Sequence, residues 1–140
     1  MSPSTVIPGA KKIIRIITFS DYNMSTTLLF KALKILPIDK LVYNRIGIVM
    51  FKYENGLLPG VMNDLYITNS EVHSHDTRQK YLLHINKGSI NIFTNSFVNT
   101  SARVWNVLRS KIDVYVSISK FKSTSKIFLL NNSLDLQYTK

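Results

Sequence analysis

A chain of 140 residues with 45% hydrophobic and 19% charged side chains has the material for one domain with a buried core, and is too apolar to stay unfolded throughout. Eighteen Lys and Arg against eight Asp and Glu leave a net charge of +10, which favours a polyanionic partner. The absence of cysteine excludes disulfides, thiolate zinc sites and thiol nucleophiles, and no apolar run approaches the about 20 residues of a membrane span.

Residues 1–10 carry Pro3, Pro8 and Gly9 with no periodicity and read as a loose leader without a secretion-signal pattern. Ala10, Ile13, Ile14 and Ile17 then fall on one helical face and Lys11, Lys12 and Arg15 on another, predicting an amphipathic helix to about Phe19, with a strand as the rival reading of the isoleucines. Leu29, Ala32, Leu33 and Leu36 sit at helical spacing behind Thr26 or Thr27 as N-cap. A third helix opens at Pro37, with Asp39 in its first turn, keeps Ile38, Val42, Ile46, Val49 and Tyr53 in a stripe, and ends at Asn55-Gly56. Leu41, Ile48 and Phe51 add apolar groups off that stripe, so this helix is expected at the centre of the core.

Pro59 begins a short segment in which Val61, Met62, Leu65 and Tyr66 can cover a neighbouring helix, followed by a polar loop from Thr68 to Lys80. Tyr81–Ile85 is too short to assign, and Lys87-Gly88 makes a turn. Phe93, Phe97, Val104, Trp105, Leu108 and Ile112 predict a helix from about Thr94 to Ser110 anchored by Trp105. Ser117 or Ser119 caps a last helix with Ile118, Phe121, Ser125, Phe128 and Leu129 on one stripe, fading at Asn131-Asn132. The expected fold is mainly α: a small irregular domain of five or six helices over residues 11–130, with a long polar loop, room for one short strand pair, and a loose tail over 131–140.

The chemistry tests come out negative. His73, His75 and His84 with scattered carboxylates have no recognisable metal-ligand spacing, no serine lies in a nucleophile elbow, the acidic residues form no metal-holding pair, and the five glycines are isolated rather than clustered as in a phosphate loop. No catalytic residue, metal or cofactor is therefore assigned. From Arg78 to Lys126 the chain carries nine basic residues (Arg78, Lys80, Lys87, Arg103, Arg109, Lys111, Lys120, Lys122 and Lys126) and one acidic, Asp113. These nine are the candidates for nucleic-acid contact, since a phosphate contact requires only charge and exposure. Trp105 and Phe121 lie among them, but both also sit on inward stripes, so core anchoring is preferred over base stacking. Arg78 stands apart because the polar loop around it could hold its fork on a phosphate, on a carbonyl rim or in a bond within the loop.

Five pieces in order, KIIRIITF from Lys12, LLFKALKILPIDKLVYNRIGIVMFKYENGLLP, NSEVHSHDTRQ, SARVWNVLRSKI and VSISKFKSTSKIFLL, span about residues 11–130. Together they resemble the C-terminal tail that follows the polymerase core in reverse transcriptases of jockey-like non-LTR retrotransposons. The family's "LF..L.IL" falls on Leu29, Phe30, Leu33, Ile35 and Leu36, and its "LP" on Leu58 and Pro59. Its "H.Y.TR" loop falls on His73, Thr77 and Arg78, with His75 at the tyrosine position. Its "WN.L" falls on Trp105, Asn106 and Leu108, with Arg109 where a proline often follows, and its "FK" on Phe121-Lys122. The resemblance implies that the parent is an RNA-directed DNA polymerase whose metal-binding aspartates lie upstream. The chain is then a non-catalytic piece with RNA or DNA, and the parent's polymerase core, as partners in an intracellular setting that extends to the nucleus. The alternatives are a helical protein-interaction module and a degraded element fragment without function.

Overall fold

The computed structural model describes residues 8–134 and 136. Among these residues the chain forms seven α-helices: α1 (Pro8–Thr18), α2 (Thr26–Ala32), α3 (Ile38–Glu54), α4 (Asn69–Val72), α5 (Asn91–Thr94), α6 (Phe97–Lys111) and α7 (Ile118–Asn131). α4 and α5 are single turns of four residues, and a 3₁₀ turn spans Gly60–Met62. The mainly helical expectation holds. The strand pair amounts to one isolated antiparallel bridge, Thr68 with Leu83.

α3 packs against both α6 and α7. Met50, Val104, Trp105, Leu108 and Phe121 are buried there, with the Phe51 and Phe121 rings stacked at 4.5 Å and Trp105 tilted on Phe121 at 6.0 Å. The α3 stripe is rotated from the expected one. Ile38 and Val42 stay exposed, while Asn44, Ile46, Gly47, Ile48, Met50 and Phe51 turn inward. Close packing decides this: a Cβ at Gly47 would lie 2.6 Å from Leu108 Cδ1, so the missing side chain lets α6 approach the α3 backbone. Beside it, the Ser125 hydroxyl donates to Asn44 Oδ1 at 2.9 Å, satisfying two buried polar side chains between α3 and α7.

The third helix ends as its sequence indicates. Gly56 takes φ +65°, Leu57 N–H donates to Lys52 O and Gly56 N–H to Tyr53 O, a Schellman closure. α2 closes the same way earlier than expected: it stops at Ala32, and Lys34 occupies the left-handed position at φ +55°. Leu36, beyond that break, joins Leu129 and Leu130 of α7 instead of extending the α2 stripe. Its N-cap is Ser25, not Thr26 or Thr27. The expected Thr94–Ser110 helix is divided, because Ser96 accepts from Asn99 N–H and restarts the chain as α6. Phe97 stays exposed. The side chain of Phe93, named in the same stripe, lies outside the described residues, as do residues 1–7 of the expected leader and 135 and 137–140 of the expected tail. Pro8–Ala10 already belong to α1, and Leu136 is buried in the main core.

α1 packs on α2 through Ile14, Leu29 and Phe30, a cluster separate from the main core. Ile13, Ile16 and Ile17 of α1 remain exposed, as does Phe19 after it. After Pro59, Val61 points to solvent, but Tyr66 packs edge-on against Tyr53 and its hydroxyl lies 2.6 Å from Ser101 Oγ of α6.

Candidate nucleic-acid interface

The polar loop is more ordered than its composition suggests. Thr68-Asn69-Ser70-Glu71 is a capping sequence: the Glu71 carboxylate accepts from the Thr68 backbone N–H and starts the α4 turn. That bond holds Glu71 below the ordinary glutamate range. Downstream, Lys80 Nζ pairs with Asp76 at 2.9 Å, which holds the lysine above its ordinary value.

The chain after the loop is fastened to α6 by two asparagines. Asn106 accepts from Leu83 N–H through Oδ1 and donates to Leu83 O through Nδ2, both at 3.0 Å. Asn99 does the same to Asn86, at 3.2 and 3.1 Å. Seven residues of helix advance about 10.5 Å and three residues of extended chain about 10 Å, so the two side-chain amides match the spacing of the peptide groups they hold. Segment 83–86 thus runs antiparallel along α6, fixed as a strand partner would fix it. Asn69 orients the histidine beside this segment. Its Nδ2 donates to Gln79 O at 3.0 Å, which leaves its Oδ1 facing His84 Nδ1 at 3.0 Å, so that Nδ1 carries the proton.

Between the loop and this fastened segment lies a groove of about 600 Å³ lined by Asn69, His73, Thr77, Arg78, Gln79, Leu82, Leu83, His84, Ile85, Lys87 and Asn106. The His73 and His84 rings meet edge-on at 5.6 Å inside it. None of its lining residues is acidic. His73, Thr77 and Arg78 of the motif loop are therefore brought together with Lys87. His75 is exposed on the loop and does not line the groove.

Compared with protein-family models, curated proteins and solved structures, the chain has no match. The likeness to reverse-transcriptase tails rests on the motifs alone.

The nine basic candidates divide by surroundings. Arg103 is buried, and its Nη1 donates to Thr94 O at 2.9 Å, tying α5 to α6; burial and this bond remove it from the surface contacts. Arg109 pairs with Glu54 at 3.3 Å and reaches Tyr81 O at 3.5 Å, linking the end of α3 to α6. Lys80 is paired with Asp76. Arg78 and Lys87 line the groove, and among the described residues neither has a hydrogen bond or ion pair. Lys111, Lys120, Lys122 and Lys126 are exposed. Trp105 and Phe121 are wholly buried, which excludes base stacking by either ring. Among the described residues no three His, Asp or Glu side chains cluster as a metal site, and no helix is long and apolar enough to cross a membrane.

Nothing in the sequence singles out Gln79 and Asn69 of the groove as site residues, and His84 stands there only among the histidines that lack metal-ligand spacing. The cap at Thr68–Glu71 and the seven-residue separation of Asn99 and Asn106 are readable in the chain, but the Leu83 and Asn86 peptide groups that the two asparagines hold are not.

Proposed function

We propose that this chain is a non-catalytic nucleic-acid-binding module, the tail of a retrotransposon RNA-directed DNA polymerase, contacting the backbone of template RNA or target DNA in an intracellular, nuclear setting. The observation that carries this reading is the pair of unpaired cations, Arg78 and Lys87, facing one groove without a carboxylate. The exposed lysines of α7 and Lys111 supply further phosphate contacts. For about four phosphate contacts, affinity for single-stranded RNA falls roughly fiftyfold between 50 and 200 mM salt. Fluorescence anisotropy with a labelled RNA measures this slope. Absence of binding at low salt would overturn the reading.

The exposed Ile13, Ile16, Ile17 and Phe19 favour a second reading, a helical module that docks its α1 face on another protein such as the parent polymerase core. It requires concentration-dependent self-association of the isolated chain, relieved by Ile13→Glu or Ile17→Glu. A monodisperse, cooperatively melting monomer in sedimentation and thermal melts counts against it.

A further inference from the structure

Once the polar atoms occupied by the fold are set aside, the groove is left with a one-sided chemistry. The Asn106 amide is engaged with Leu83, the Asn69 amide with Gln79 O and His84, Glu71 with Thr68, and Asp76 with Lys80. What lines the groove without such an engagement is Arg78, Lys87, Thr77 and the side chain of Gln79, together with the edge-on pair of histidine rings. Two permanent cations, hydroxyl and amide donors and no carboxylate define a receptor for an oxyanion. A cleft of about 600 Å³ lies within the range of small-molecule sites and has room for a nucleotide unit as well as for a lone phosphate.

Each cation also sits next to a hydrogen-bonded support. Lys87 follows directly on the segment that Asn99 and Asn106 hold against α6, and Arg78 lies in the loop closed on one side by the Asp76–Lys80 pair and on the other by the Asn69–Gln79 bond. The two cations are thus mounted on separately fastened segments that line one groove, so an anion that enters it meets both supports.

We propose that this groove is a phosphate-binding site, with Arg78 and Lys87 as its charged walls and Thr77 as a neutral donor. The site takes a phosphoryl group either from a nucleic-acid strand or from a free nucleotide. The proposal deepens the nucleic-acid reading and rests on it only for the source of the phosphate.

The chain's three histidines make the test direct, because His73 and His84 line the groove and His75 does not. Imidazole resonances of the full chain are followed by NMR at constant ionic strength, balanced with chloride. Inorganic phosphate, an adenine nucleotide, a single-stranded RNA octamer and a poly-glutamate peptide are titrated separately. The expected result is saturable movement of His73 and His84 with phosphate, nucleotide and RNA while His75 stays in place. Arg78→Gln and Lys87→Gln each weaken saturation about tenfold, the scale of a lost charged hydrogen bond, and Lys52→Gln on α3 leaves it unchanged. All three histidines moving alike, no saturation, unchanged affinity in Arg78→Gln, or tighter binding of poly-glutamate than of phosphate each overturns the site. Saturation by phosphate and nucleotide without competition from RNA upholds the site and removes the nucleic-acid reading.

Discussion

Asn106→Ala isolates the clamp that builds the groove wall. The substitution removes both bonds to Leu83, each 3.0 Å long, and Leu83 is 5% exposed, so its N–H and C=O lose their partners where water enters poorly. A buried backbone group left unpaired costs about 1–3 kcal/mol, and with partial entry of water the pair together costs about 2–4 kcal/mol. At roughly 3 °C per kcal/mol for a chain of this size, the melting midpoint falls by about 6–12 °C. Circular dichroism gives the midpoint, and hydrogen exchange at the Leu83 amide reports the local opening. Asn106→Asp, which keeps an acceptor for Leu83 N–H but sets a second acceptor against Leu83 O, is also destabilised relative to the parent at neutral pH. An unchanged midpoint together with Leu83 exchange as slow as in the parent would refute the clamp. The His73 and His84 resonances should also broaden or shift in Asn106→Ala, since the segment carrying His84 is then released from α6.

Three further outcomes follow from the same geometry. Gly47→Ala places a methyl 2.6 Å from the buried Leu108 Cδ1; overpacking of about 1–3 kcal/mol outweighs the about 1 kcal/mol that alanine gains in helix propensity, so a urea melt should show net destabilisation, smaller in a Leu108→Val background. Stabilisation by Gly47→Ala in the parent would contradict the close approach of α3 and α6. Lys34→Gly relieves the left-handed position at φ +55° and raises the urea midpoint by the equivalent of about 0.5–1 kcal/mol, whereas a loss would show that the lysine stem does more than close α2. Glu71 has a folded-state value below its unfolded one, so its contribution to α4 is present above the ordinary glutamate range of about 4.3 and is lost as pH falls through the depressed value. The Thr68 amide shift should titrate in that lower window and become pH-independent there in Glu71→Gln; titration at the ordinary value would exclude the capping bond.

Much of the helical class was legible in the chain because its signals are local. The α7 stripe, the Ser117 cap that accepts from Lys120 N–H, and the Gly56 closure of α3 all depend on neighbours within about one or two helical turns. The misread face of α3 shows the limit. Hydropathy ranked Ile38 and Val42 as core and gave Asn44 and Gly47 no inward signal, yet the polar bond between Asn44 and Ser125 spans 81 residues and the glycine matters only because Leu108 lies against it.

The sequence by itself determined the composition of the candidate interface: the net charge of +10, the nine basic candidates, and the motif loop with His73, Thr77 and Arg78. Which cations face outward was decided only by tertiary structure. Arg103 is drawn inside by the Thr94 carbonyl, Arg109 and Lys80 meet carboxylates, and Arg78 and Lys87 are left lining one groove. The reason is physical: charge belongs to a residue, but its availability depends on burial and on partners, local for Lys80 with Asp76 and brought from distant parts of the chain for Arg109 with Glu54.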